Sequence, residues 1–384
     1  MGTDGWKPRR LDELGFVGRG KSRHRPRNEA RLYGGKYPFI QTADVMAAEP
    51  YITSFSQTYS EFGLKQSKLW PPDTLCMTIA GANTAKTAIL KIEACFPDSV
   101  VGFIPDKSQA DLHFIKYSLD LLRHRFLSVS RGATQDNLSL DKLLSFPISA
   151  PPVQEQRRIG GILSAYDDLM ENIQRRIRIL ETMARTLYRE WFIHFRFPEH
   201  ERCPLVASSL GDIPQNWQVK KLSDILELKY GKALKKEERR DGEFPVFGSS
   251  GIVGTHDTSL VKGPGIIVGR KGNVGSIFWS DEDFFVIDTA YFVEAFLPLR
   301  FLFYDLQTKN FINSDAAVPG LSRRQAYALE AVVPPTELLT TFCRLADNFE
   351  VHASTLRRQL QNLRRTRDLL LPRLLSGQIN LKTN

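Results

Sequence analysis

Only four cysteines, Cys76, Cys95, Cys203 and Cys343, occur in 384 residues, far apart and with no Cys-x-x-Cys pair. That spacing argues against a zinc site and a disulfide framework, and it fits a reducing cytoplasm. No run of 18 apolar residues exists, so no membrane-spanning helix is expected. Met1 to Trp6 has no apolar stretch behind a basic start, so no secretory signal is expected either. The histidines are scattered, and His194 with His200 lacks metal-ligand company. An adenine methyltransferase needs an Asn/Asp-Pro-Pro-aromatic element and a glycine-rich cofactor loop; Pro71-Pro72 and Pro151-Pro152 have the wrong neighbours. No acidic cluster with a spaced lysine has nuclease form. Without a catalytic set, the chain is expected to bind rather than to catalyse.

Positive charge is in surplus: 52 Lys and Arg against 43 Asp and Glu give +9, which favours a polyanionic partner. An apolar share of 42% and a charged share of 25% are ordinary for a globular protein, and the length allows two or three domains.

The stronger signal is an internal repeat. Trp6-Lys7-Pro8-Arg9-Arg10-Leu11 matches Trp217-Gln218-Val219-Lys220-Lys221-Leu222, 211 positions on. Tyr37-Pro38-Phe39-Ile40 resembles Phe244-Pro245-Val246-Phe247, and Leu138-Ser139 with Pro151-Pro152 recurs as Leu321-Ser322 with Pro334-Pro335, now 183 positions on. The shrinking offset gives the first half about 28 extra residues.

A helix follows each Pro-Pro. Ile159, Leu163, Tyr166, Met170, Ile173, Ile177, Leu180, Ala184, Leu187 and Trp191 alternate steps of four and three, the seam of a left-handed coiled coil. Adding 183 gives Phe342, Ala346, Phe349, Ala353, Leu356, Leu360, Leu363, Arg367, Leu370 and Leu374, with Arg367 the one polar member. Each helix is read as about 35 residues, on the order of 50 Å, the two pairing antiparallel as a rod between the globular halves. Gly160-Gly161 is expected to weaken the first helix's opening turn, and Pro372 to kink or end the second. Arg175, Arg176, Arg178, Arg357, Arg358, Arg364 and Arg365 lie off the seam, on a solvated face or a face toward a partner subunit or DNA backbone. The short β-branched and aromatic segments at Gly265–Gly269, Gly275–Trp279 and Phe284–Ile287 read as strands of a mixed or antiparallel sheet, and Asp111–Arg125 and Leu299–Lys309 as helices. The fold class is therefore α+β. The expected segments are a first domain over 1–150, a helical spacer over 151–200, a second domain over 205–333 and a second spacer over 334–384.

Gly15-Phe16-Val17-Gly18-Arg19-Gly20-Lys21-Ser22 formally matches the P-loop pattern. That motif needs a buried strand before it and a helix after it. Here Arg9 to Leu14 is too polar and Arg23-His24-Arg25-Pro26 opens no helix. The repeat keeps only Gly20-Lys21, as Gly231-Lys232. A basic loop present in both halves, richest at Lys21, Arg23, Arg25 and Arg27 and matched by Lys232, is better read as touching a nucleic-acid backbone. Gly269-Arg270-Lys271-Gly272-Asn273-Val274-Gly275 suggests a glycine-rich hairpin, loosely matched by Ala80 to Ala85. In a DNA reader Arg270 and Lys271 reach phosphate or guanine, and Asn273 or Asn83 pairs with adenine edges. Lys86, Arg323 and Arg324 complete the basic candidates.

Several stretches resemble the specificity subunits of type I restriction–modification systems. They are the Gly18 to Asn28 run with Tyr33 to Ile40, Gly242 to Gly254, Gly265 to Trp279, Pro151 to Gln156, Trp191 to Phe195, and the closing Leu370 to Gly377. The family's Gln/Asn-rich signature is recognisable at Gly132 to Leu138, making Gln135 and Asn137 candidate DNA contacts; Ala316 to Leu321 replaces it in the second half. The resemblance implies tandem target-recognition domains, each reading one half of a split double-stranded DNA site, with the helices as a ruler. It also implies two modification subunits using S-adenosylmethionine, restriction subunits using ATP and Mg2+, no cofactor in this chain and a cytoplasmic location. A stand-alone tandem-domain DNA-binding or regulatory protein without methyltransferase partners, and an enzyme using the P-loop match, remain as alternatives.

Overall fold

The computed structural model describes residues 5–48, 50–81, 84–130, 138–311, 320–379 and 381. The chain forms two compact units, Met1–Arg175 with Arg357–Asn384, and Arg176–Leu356. Each contains one globular domain and parts of both long helices.

The two domains share one framework. In the first, a sheet runs in the order Gly15–Arg19, Val100–Pro105, Leu75–Thr78, Thr87–Leu90 and Tyr51–Ile52. In the second the order is Leu226–Tyr230, Ala290–Ala295, Gly265–Gly269 and Ile277–Ser280, the same but for the last edge strand. Each domain adds a smaller sheet with one parallel pair, Phe39 opposite Cys95 and Val246 opposite Phe285. Each also has a two-stranded ribbon just before its long helix, Lys7–Arg9 with Ile148–Ala150 and Gln218–Lys221 with Glu330–Val333. Ile266, Ile267 and Val268 read as an unbroken apolar run because both faces of their strand are covered. Ile266 and Val268 enter the main core of the second domain, while Ile267 packs with Phe247, Phe284 and Val286.

The extra residues of the first domain have a definite place. Gly15–Arg19 and Leu226–Tyr230 lie 211 positions apart, Leu75–Thr78 and Gly265–Gly269 lie 190 apart, and Leu140–Leu144 and Arg323–Ala328 lie 183 apart. Most of the difference is therefore inserted between Phe39 and Leu75, as helices Thr42–Ala47 and Glu61–Lys65 with strands Tyr51–Ile52 and Leu69–Trp70. Helix Leu112–Ser130 is also longer than its counterpart Leu299–Thr308.

The long helices span Val153–Tyr188 and Thr336–Leu375. Every seam position on both is buried or half-buried, and the off-seam arginines named above are exposed. In the first unit Ile159 and Leu163 share a core with Leu374 and Leu375, and Asp167 meets Arg367, so this stretch is antiparallel. In the second unit Tyr188, Trp191 and Phe192 pack their rings around Phe342.

Arg367, the polar member of the seam, has its counterpart in Asp167. Its Nη1 donates to Asp167 Oδ1 at 2.7 Å, and Asp167 Oδ2 accepts from Tyr117 at 2.5 Å. The expectation for glycine needs correction. The first helix opens at Val153, and a Cβ on Gly160 would come within 2.3 Å of Asp111 Oδ1, so this glycine is where the domain helix docks rather than a weak opening turn. The second helix passes through Pro372 and ends one turn later; Gly377, at φ +70°, follows in the left-handed region that suits a helix cap.

Each unit joins its domain helix to a long helix through one buried Tyr–Asp hydrogen bond. The polarity reverses between them: Tyr117 of the domain helix donates to Asp167, whereas Tyr188 of the long helix donates to Asp305 of the domain helix at 2.9 Å. Burial pushes the Asp305 carboxyl above its ordinary value, outweighing Lys309 at 2.9 Å. The folded state then binds a proton more tightly than the unfolded chain does. Stability from this group is full below the unfolded value of 3.8 and is lost as pH rises through the raised folded value. Asp305→Asn should flatten the decline above pH 4 in a series of denaturant melts; a variant curve parallel to the parent's would refute the assignment.

Candidate nucleic-acid interface

The basic loop of the first domain begins at the end of strand Gly15–Arg19. Gly20 N–H donates to the Val100 carbonyl at 2.8 Å and Lys21 N–H to the Phe96 carbonyl at 2.9 Å. A Cβ on Gly20 would meet the Pro97 carbonyl oxygen at 2.2 Å. The second domain repeats the arrangement: Gly231 N–H reaches Ala290 at 3.2 Å, Lys232 N–H reaches Val286 at 2.9 Å, and a Cβ on Gly231 would meet the Ile287 oxygen at 2.2 Å. The Gly-Lys pair thus recurs because a strand end must approach another backbone. These amides are spent on protein carbonyls, and Ser22 is buried, its hydroxyl 3.2 Å from that of Tyr59. No phosphate cradle of the P-loop kind exists here. Gly231→Ala should cost the second domain about 1–3 kcal/mol through overpacking; a melting curve matching the parent's would show that the backbone yields freely.

Beyond Lys21 the loop is tied down. Gln66 Oε1 accepts from the backbone N–H groups of Arg23 at 2.6 Å and His24 at 3.0 Å. The Arg25 guanidinium folds back onto the Ser22 and His24 carbonyls, both at 2.8 Å, and Arg27 pairs with Asp98 at 3.0 Å. Arg23 is exposed with no side-chain bond among the described residues, and Lys21 is half-buried. Lys21 and Arg23 are therefore the members most available to an external phosphate. Nearby, Lys68 Nζ sits 4.4 Å from the ring centre of exposed Phe16 and 3.8 Å from that of Trp70.

In the second domain the candidates converge on an aromatic that sequence reasoning missed. Tyr230, 47% exposed, lies under Arg270 at 4.9 Å and Arg323 at 4.5 Å. Such contacts hold guanidinium planes in place without consuming their charge. Arg270 also donates to the Asp288 carbonyl at 3.0 Å, and its own carbonyl accepts from Leu321 N–H at 2.8 Å. Lys271 bridges to Gly320, which brings the helix carrying Arg323 and exposed Arg324 beside the hairpin. Tyr291 locks this junction by donating to the Leu321 carbonyl at 3.0 Å; burial, with Tyr230 alongside, pushes its phenol up to about 12. The hairpin loop carries Gly272 at φ +81° and Gly275 at φ +75°, with Asn273 exposed and its amide 3.3 Å from Ser250 Oγ. The only sequence signal for Tyr230 was its place immediately before Gly231-Lys232.

Lys86 lies elsewhere, lining a polar cavity with Lys116 and Arg123. Asn83, Gln135 and Asn137 fall outside the described residues. Among the described residues, no group of His, Cys, Asp or Glu is arranged to hold a metal ion, and no helix is long and apolar enough to cross a membrane. Burial raises the thiols of Cys76 and Cys95, as expected of packed, unreactive cysteines.

A family model described as the type I restriction modification DNA specificity domain matches residues 3–182 and 214–319. The chain belongs to this family. The matched segments cover most of each globular domain and, from the first, much of the first long helix. The MjaIX type I restriction enzyme specificity subunit of Methanocaldococcus jannaschii is 24% identical over 415 residues, spanning 98% of this chain and 94% of that one. The EcoR124I/EcoR124II specificity subunit of Escherichia coli is 26% identical over 182 residues, 43% of each chain. Among solved structures, the S subunit of a type I restriction–modification system from M. genitalium aligns over 96% of both chains, with a TM-score of 0.66 and 20% identity. That likeness carries the fold of this specificity-family chain: tandem α+β domains, each followed by a long helix.

Proposed function

We propose that this chain is the sequence-specific DNA-binding subunit of a type I restriction–modification complex. Each domain reads one half of a bipartite double-stranded target. The long helices set the gap and dock two modification subunits. A helix of 36 residues is about 54 Å long, enough to bridge half-sites one helical turn, about 34 Å, apart. Chemistry belongs to the partners: modification subunits methylating adenine N6 with S-adenosylmethionine, and restriction subunits using ATP and Mg2+. This chain contributes recognition and no catalytic step.

The observation that carries the proposal is the contrast between framework and surface. Four strands of the main sheet recur in the same order in both domains, while the surface groups on them differ: Arg23 in one, Tyr230 with Arg270, Arg323 and Asn273 in the other. A duplicated scaffold with diverged surface groups suits two different half-sites. Phosphate contacts from Lys21, Arg23, Lys232 and Lys271 fix register, and base-edge contacts such as Asn273 to adenine specify sequence. Family membership favours this reading over a stand-alone regulator. Footprinting the complex on its target should give two protected tracts separated by an accessible gap; one continuous short tract would defeat the proposal.

A further inference from the structure

A cavity of about 380 Å³ lies within the first unit, between helix Leu112–Ser130, strand Thr87–Leu90 and the parts of the two long helices belonging to that unit. Five cationic side chains line it, Lys86, Lys116, Arg123, Arg364 and Arg367, against three carboxylates, Asp120, Asp167 and Glu171. Two of those carboxylates are already committed. Asp120 accepts from Lys116 Nζ at 2.7 Å and from the Thr87 hydroxyl. Asp167 accepts from Arg367 and Tyr117. Lys86 and Arg123 remain, with Glu171 as the third carboxylate of the lining; Arg364 has a partner of its own. Lys86 has no carboxylate partner among the described residues. Arg123 Nε is shielded from solvent and bonded to nothing. Lys116 is 94% buried (6% exposed), and its single carboxylate partner leaves two of its three ammonium protons to other acceptors.

A buried donor without an acceptor is costly, and a cavity with surplus positive charge attracts an anion. Several N–H donors lining one cavity suit an acceptor with several oxygens, whereas a divalent cation would meet the surplus of like charge. We propose that this cavity is a binding site for a tetrahedral oxyanion of the phosphate class, held by Lys86, Lys116 and Arg123. None of the three is among the phosphate contacts proposed above, and the site does not depend on how the half-sites are read. Its occupant is either free inorganic phosphate or one phosphate of a DNA backbone; both present the same oxygens.

Titrating inorganic phosphate into the full-length chain, at ionic strength held constant with chloride, should give saturable binding with a Kd on the order of 1 mM. Arg123→Gln and Lys86→Gln, each shown to be folded by circular dichroism, should each weaken that binding at least tenfold. The salt dependence of DNA binding distinguishes the sources. If the occupant is a DNA phosphate, the logarithmic slope falls by about 1 in each variant; if it is free phosphate, the slope is unchanged while phosphate binding is lost. No saturable phosphate binding by the parent chain, together with parental slopes in both folded variants, would overturn the proposal.

Discussion

Arg367→Met should destabilise the first unit by about 3–5 kcal/mol, the penalty for stranding one member of a buried ion pair. Asp167 is 4% exposed, and without Arg367 it keeps only the Tyr117 hydroxyl. The charge would then face the cavity beside Met170 with no cation hydrogen-bonded to it. The double variant Asp167→Leu/Arg367→Met removes both charges and should recover about half the loss, because the apolar pair incurs no charge-desolvation penalty but leaves the buried Tyr117 hydroxyl without its acceptor. Urea titrations of the parent, the single and the double variant check this. A single variant within about 1 kcal/mol of the parent would mean that the pair is solvated and does not fix the register of the helices.

The second large effect concerns DNA. Lys21→Ala/Arg23→Ala should lower affinity for the target on the order of 10–100-fold at physiological salt and reduce the logarithmic salt slope by about 2. Arg25 and Arg27 are bound to carbonyls and to Asp98, so adding Arg27→Ala should change the slope little. Fluorescence anisotropy at four salt concentrations measures both quantities. Unchanged affinity and slope in the double variant would remove this loop from the interface.

What the sequence made legible follows from which residues carry periodic information. The seams were readable because burial recurs at steps of three and four, and one misplaced polar residue stands out. The partner of that residue was harder to see: Asp167 sits one place past Tyr166, inside an acidic pair, and looks solvated in one dimension. The repeat located the Gly20-Lys21 and Gly231-Lys232 pair but suggested a shared DNA contact. The glycine has a packing cause as well, backbone carbonyls 2.2 Å from where a Cβ would stand, and such an approach leaves no mark beyond the glycine itself. Tyr230 was missed for a related reason. A lone tyrosine at a strand end carries no pattern, and its meaning depends on Arg270 and Arg323, 40 and 93 positions further along the sequence. Gly160 was misjudged because intrinsic propensity describes an isolated helix, whereas here the helix accepts the end of another element against its backbone.

The central claim is one domain for each half of a split site. Mapping methylated adenines across the DNA of cells carrying the complex tests it most directly, with the parent chain and with Asn273→Ala. The account predicts a bipartite motif for the parent. For the variant it predicts relaxed choice at a position in one half only, about 1–3 kcal/mol of lost discrimination, with the other half and the spacer length unchanged. A contiguous motif in the parent, or a variant that alters both halves together, would contradict it.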